Sequence, residues 1–216
     1  MKATEETLSY TWKETWNTPP LRVRMIIGSI LIFAILSSLP SFFNIIEKRN
    51  GVTLNDFVLA AVPAYNVSWA IFSIIWGMGL LILIRAINKP SIYINYVWGL
   101  IFVTIIRMLT ITLIPLNPPK GIIIISDPLT NLFYGEKVIT KDLFFSGHTA
   151  ILVLTILCLE KKSDKIIGII ATVIVGSLLL VQHVHYTLDV IAAPIIVYPL
   201  YKLSRFLITA KADTVV

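Results

Sequence analysis

The 216-residue chain has one cysteine, Cys158, three histidines, and charged side chains at only 14% of its positions. A single cysteine excludes an intrachain disulfide and leaves the redox compartment open. Soluble domains carry about 25% charged residues, so the shortage of charge excludes ordinary globular composition. The apolar runs are continuous rather than alternating, which disfavours a membrane β-barrel. No internal repeat, low-complexity tract or second domain is visible. What is abundant is apolar: 56% of residues are hydrophobic and the mean hydropathy is +0.84. Most of this chain expects lipid as its solvent. The net charge of +6 is modest, and the order of the charges assigns it to membrane sidedness rather than to nucleic acid.

Reading between charges locates the spans. The first lies between Arg24 and Glu47 and the second between Asp56 and Arg85, entered through Pro63 and Asn66. The third runs from Tyr93 to Pro115 and contains Arg107. The fourth runs from Ser146 to Glu160, the fifth from Ile166 to Val181, and the sixth from His185 to Arg205. At ~20 residues per span, six spans use roughly 120 residues and leave about 96 for loops and ends. The expectation is an all-α integral membrane bundle of six transmembrane helices, with residues 24–207 as its body. Residues 1–23 are expected to form a cytoplasmic or interfacial segment and 208–216 a cytoplasmic tail. The first span is expected to be retained, since a polar stretch precedes it and no small-residue cleavage site is clear. Leu8, Trp12 and Trp16 recur at helical spacing, which fits a short surface helix stopped by Pro19 and Pro20 as well as it fits a tail with incidental tryptophans.

With the N-terminus inside, twelve of the 18 Lys and Arg residues fall on inner segments and five on outer loops, with Arg107 inside the membrane. The positive-inside bias therefore puts both termini in the cytoplasm. Tyr93, Tyr96 and Trp98 then lie where an inner aromatic belt would.

In this topology His148, His183 and His185 all fall at outer ends of spans. Asp189 follows His185 by four residues, one helical turn, so the two share a face. A carboxylate beside an imidazole fixes its tautomer and raises the basicity of its other nitrogen. Ionisable groups at a membrane edge are functional by default when they face a bundle interior; a helix-end pair that only satisfies itself is the plain alternative. Upstream, Ser146 is a good N-cap and Gly147 permits close approach to the backbone. The free N–H groups of that first turn form an anion site, with His148 beside it to donate a proton. An ordinary cap explains the same Ser-Gly pair.

The run DLFFSGHT, Asp142 to Thr149, followed by HVHYTLDV, His183 to Val190, resembles the paired motifs of the sphingomyelin synthase-like branch of the phosphatidic acid phosphatase type 2 superfamily. Arg107 to Pro115 is similar to a further motif of that family on the third span, more loosely. Asp56 to Ser68 is a poor match to another. The resemblance implies a six-span membrane enzyme with a His, His, Asp catalytic set on the exoplasmic side, here His148, His185 and Asp189. The phosphatase branch has a Lys and Arg-Pro motif and a Ser-Arg pair before its nucleophilic histidine, whereas this chain has Leu178, Leu179 and Leu180. Another cation must meet the phosphate. At about 1.5 Å per residue from Tyr93, Arg107 reaches roughly the depth of Asp189. Phosphate-binding candidates are thus Arg107, Ser146, Gly147, Thr149 and Tyr186. Lys141 is a weaker candidate, and His183, two residues from His185, is expected to point elsewhere.

The implied chemistry is transfer of a phospholipid head group through a phosphohistidine-type intermediate on His185 to a lipid alcohol such as ceramide or diacylglycerol. With water as acceptor the same site is a lipid-phosphate phosphatase or a phospholipase-C-like hydrolase. No metal and no cofactor are expected, and the bilayer with its lipids is the only partner implied. A metal-dependent membrane hydrolase using His148, His183, His185 and Asp189 is a rival reading, and a non-enzymatic lipid carrier another. Head-group choice would rest on outer-loop residues between Asp127 and Lys141. The isoleucine-rich small chain leans towards a bacterial inner membrane, with the site on its outer side.

Overall fold

The computed structural model describes residues 11–125 and 139–210. Leu8, most of the Asp127–Lys141 loop and the last residues of the tail lie outside the described residues. Every regular element among the described residues is helical. A short α1 (Trp12–Asn17) opens on a capping box, in which Thr11 and Glu14 bond reciprocally. Pro19 and Pro20 then start α2 (Pro19–Ile46), where their fixed φ and missing N–H groups suit a first turn. A five-residue α3 (Phe57–Ala61) precedes α4 (Ser68–Asn88) and α5 (Pro90–Leu113). Pro90 ends α4 by forcing Lys89 into an extended conformation. Last come α6 (Gly147–Cys158), α7 (Lys162–Val181) and α8 (Thr187–Ala210).

Five of these helices, α2, α4, α5, α7 and α8, are long and apolar enough to cross a membrane. The chain is an integral membrane protein. The expected fourth span is the exception: α6 has 12 residues, about 18 Å at 1.5 Å per residue, against a hydrocarbon core of ~30 Å. Ser146 caps its start and Leu159 leaves the helix in extended conformation. By length and apolar composition five of the six expected spans are present among the described residues, and α6 alone falls short of the criterion.

α6 is central as well as short. It packs against α4, α5, α7 and α8, and Ala150, Leu152 and Leu154 have no exposed surface. Gly99 of α5 lets Leu154 in, since a Cβ there would sit 2.6 Å from a Leu154 methyl. α2 is peripheral and rests on α5, where Gly28 admits the Trp98 indole, whose N–H bonds to the Arg24 carbonyl at 3.2 Å.

The helices run up and down, so each end of the bundle collects its own ties. At one end Arg85 of α4 forks onto Asp164 of α7 at 2.6 and 3.2 Å, and Lys89 pairs with Glu160 at 2.5 Å. α1 docks at this end, with the Trp12 indole N–H on the Ile87 carbonyl at 2.5 Å; Trp12 and Trp16 therefore belong to a formed helix. The opposite end is laced by connections. Val52 and Leu116 form an isolated parallel bridge. Tyr65 N–H bonds to the Val181 carbonyl at 3.1 Å and Ser146 N–H to the Asp189 carbonyl at 3.0 Å. The buried Gln182 side chain accepts from Val67 N–H at 3.1 Å and donates to the Ser68 hydroxyl at 2.7 Å. All three histidines lie at this laced end.

Candidate active site

Asp189 falls in the first turn of α8, and its carboxylate reaches back to the N–H of Tyr186 at 3.1 Å. This is the return arm of a capping box, which holds a third-position acid against the residue before the helix. The same oxygen accepts from His185 Nδ1 at 3.3 Å. The spacing of four does bring the two together, but not as a pair on one helical face: His185 precedes the helix, in the turn that joins α7 to α8. Both side chains are almost wholly buried, and the second Asp189 oxygen, Oδ1, is buried with no hydrogen-bond partner among the described residues.

With Nδ1 committed to Asp189, Nε2 is the nitrogen His185 has left for chemistry. The His148 ring, from the first turn of α6, stands 6.2 Å from the His185 ring between centroids, tilted by 68°. Phe72 of α4 packs edge-on against His148 at 6.0 Å. Two imidazoles from distant parts of the chain therefore meet, one of them backed by a carboxylate, in partly apolar surroundings.

Ser146 caps α6, accepting from the Thr149 N–H at 3.4 Å and the Thr149 hydroxyl at 3.2 Å. Arg107 comes from α5 to the same turn. Its Nε–H bonds to the Phe145 carbonyl at 3.1 Å and one terminal nitrogen pairs with Asp142 at 2.5 Å. Thr110, almost one turn further along α5, donates to the Phe144 carbonyl at 2.9 Å. The α5 motif thus grips the loop that delivers α6. A guanidinium has five N–H donors, so this grip leaves others for an anion at the helix start.

Other expected residues are placed elsewhere. The Tyr186 hydroxyl is committed to the outer connections, donating to the Asn117 carbonyl at 2.9 Å and accepting from Leu54 N–H at 3.2 Å. Tyr186 therefore anchors loops instead of facing the imidazoles, because consecutive residues of an extended turn point to opposite sides. Lys141 is drawn to the end of α2, where its ammonium meets the Glu47 carbonyl at 3.0 Å and the Arg49 carbonyl. His183 turns away from His185: its nitrogens face the Val62 and Lys120 carbonyls at 2.8 and 3.0 Å. Among the described residues, the four-residue ligand set of the metal reading is consequently not assembled.

Two acids are absent from the sequence-derived site. Asp142 lies inside the DLFFSGHT run but has no recognisable spacing to Arg107. Asp56 accepts from Val58 and Leu59 N–H at 3.0 and 3.2 Å, capping α3, and from Thr187 N–H and hydroxyl at 2.6 and 2.9 Å, capping α8. Burial pushes its carboxyl up, but the bonds from Thr187, Leu59 and Val58 outweigh burial and hold it below the usual carboxylate range.

Residues 141–206 match the family model described as PAP2 superfamily C-terminal. The match supports the phosphatidic acid phosphatase type 2 superfamily, whose members are phosphatases and phosphotransferases, and thereby supports an enzyme. It covers the end of the loop before α6, then α6, α7 and α8 as far as Phe206, including His148, His185 and Asp189, and leaves Arg107 outside. No curated protein matches the chain.

Proposed function

We propose that this protein is an integral membrane phosphotransferase that cleaves a phospholipid phosphoester on a histidine nucleophile. The observation that carries the reading is the 6.2 Å approach of the His148 and His185 rings, with Asp189 behind the latter. That gap suits a phosphoryl group held between two ring nitrogens.

In the first step His185 Nε2 attacks phosphorus, an N–P bond forms, and the P–O bond to the departing alcohol breaks. His148 gives its proton to that oxygen. In the second step His148, now neutral, takes the proton of the acceptor hydroxyl, whose oxygen displaces His185. Asp189 steadies the Nδ1–H of His185 and the positive charge that grows on its ring. Arg107 and the N–H groups at the start of α6, around Ser146, Gly147 and Thr149, meet the non-bridging phosphoryl oxygens.

The acceptor is a lipid alcohol, ceramide or diacylglycerol, as in the sphingomyelin synthase-like branch. The apolar packing of Phe72 on His148 favours a lipid over bulk water. A second reading, a lipid-phosphate phosphatase with water as acceptor, is favoured by the superfamily match. In either case six segments pass between the two faces of the membrane, with α6 and its extended flanks as the fourth. Both termini are cytoplasmic and the site opens on the outer side of a bacterial inner membrane.

Purified full-length protein incubated with head-group-labelled phospholipid, with and without ceramide or diacylglycerol, separates these outcomes by mass spectrometry of the products. Label in a new lipid built on the added alcohol supports the transferase. Free phosphate or a phosphorylated head group supports the hydrolase. No turnover on any phosphoester lipid overturns both.

A further inference from the structure

The turn that carries His185 has a second side. While His185 faces His148, its neighbours grip two outer connections. His183 reaches the Val62 and Lys120 carbonyls, Tyr186 ties Leu54 to Asn117, and Thr187 donates twice to Asp56. Between the connections so held lies a cleft of about 340 Å³, lined by residues 54–57, 59 and 60, by Pro119 and Lys120, and by Tyr186. None of His148, His185, Asp189 and Arg107 lines it.

The chemistry of the walls narrows what the cleft can take. Leu54, Leu59, Ala60 and Pro119 offer apolar surface. Lys120 is exposed and its ammonium has no ion-pair partner among the described residues. Asp56 also lines the cleft and keeps its charge, but both its oxygens are turned to the Val58, Leu59 and Thr187 donors, which leaves Lys120 as the one cation of the lining able to meet an anion. Phe57 stands 89% exposed at the cleft, and Tyr65 and Trp69 follow at 61% and 79%. Exposed aromatics gathered where apolar helices end mark the water–lipid interface. The volume sits at the small end of ligand pockets, roughly 300–1,000 Å³, enough for a head group and its glycerol shoulder but not for acyl chains.

We propose that this cleft is a second lipid site, which binds the head group of an anionic phospholipid with its phosphate on Lys120 and its glycerol shoulder against Leu59 and Ala60. The proposal concerns binding alone and stands apart from the reaction assigned to the imidazoles, so either can fail without the other.

The test is native mass spectrometry of the detergent-solubilised full chain titrated with phosphatidylglycerol, comparing wild type with Lys120→Glu and Ala60→Trp. Charge reversal at an exposed turn residue leaves the fold intact and so keeps the test readable if the bulkier variant misfolds. Of the lipids that bind wild type, one is expected to lose affinity by about fivefold or more in Lys120→Glu, as for one lysine at an anionic surface, while binding at the imidazoles is unchanged. Ala60→Trp is expected to lose it further by filling the cleft. An affinity unchanged within about twofold in Lys120→Glu, under half a kcal/mol, overturns the proposal. Full displacement of the lipid by inorganic phosphate also overturns it, since the site would then read a free anion.

Discussion

The guanidinium of Arg107 lies against the α-carbon of Gly147: a Cβ added there would sit 2.6 Å from Arg107 Cζ. Glycine is required at this point because the cation and the first turn of α6 occupy the same few ångströms. Gly147→Ala is therefore expected to displace Arg107 while leaving the Ser146 cap in place. On the proposed mechanism this removes one cation from the phosphoryl oxygens and lowers kcat/KM by roughly 10²-fold. Thermal unfolding and lipid turnover measured on the same preparation check it. Unchanged kcat/KM in the Gly147→Ala variant would remove Arg107 from the site.

Asp189 and His148 are expected to differ in kind. Asp189→Asn keeps the size of the side chain but offers His185 Nδ1 the wrong partner, and kcat is expected to fall by about 10⁴-fold for every substrate. His148→Ala is expected to lose about 10²–10⁴-fold on lipid substrates, whose alkoxide needs a proton to depart. With a nitrophenyl phosphoester, whose leaving group needs none, the loss should largely vanish from the first step, read as the burst of nitrophenol, and persist in the second, where His148 is the base. Equal losses in the first step on both substrates would show that His148 is not the acid.

How far the sequence reveals such a site depends on the distance over which each contact closes. The spans are legible because each is a local apolar run with little charge, and the Ser146 cap because it needs only its own turn. The His185–Asp189 contact is legible from spacing although its geometry is that of a capping box. Arg107–Asp142, Asp56–Thr187 and Tyr186–Asn117 are not legible. They join segments 35, 131 and 69 residues apart respectively, and no local pattern records which loops will meet. Tyr186 escapes a sequence reading for the same reason: its place beside His185 says nothing of the side on which its ring emerges. The shortness of α6 is visible in the Ser146–Glu160 bounds, but charges alone do not show that Leu159 leaves the helix.

Asp56 links that loop architecture to pH. Its carboxyl is held below its ordinary value of 3.8 by donors from two helix starts. A depressed carboxylate contributes stability that is present above the unfolded value and lost as pH falls through the folded one. Asp56→Asn is expected to destabilise the protein by about 1 kcal/mol at neutral pH, the usual worth of a cap. The gap between wild type and variant should close as pH falls below 3.8. Melting temperatures of the two proteins from neutral pH down through the carboxylate range decide it, and a gap that widens on acidification would contradict the assignment.

The opposite end of the bundle separates stability from chemistry. Arg85 forks onto Asp164, whose side chain is 6% exposed against 28% for the arginine. Removing one partner of a charge-assisted, largely buried pair leaves the other desolvated and unpaired. Because Arg85 keeps some access to solvent, the loss is smaller than for a fully buried pair. Asp164→Ala is expected to lower stability by about 2 kcal/mol, and Arg85→Ala by less, since it strands a carboxylate that can take up a proton. Neither residue touches the laced end, so kcat per folded molecule should hold while the melting temperature drops. Because the pair joins α4 to α7, whose far ends reach Gln182 and the turn bearing His185, turnover that fell in step with stability would instead mean that the tie transmits its strain along both helices to the imidazoles.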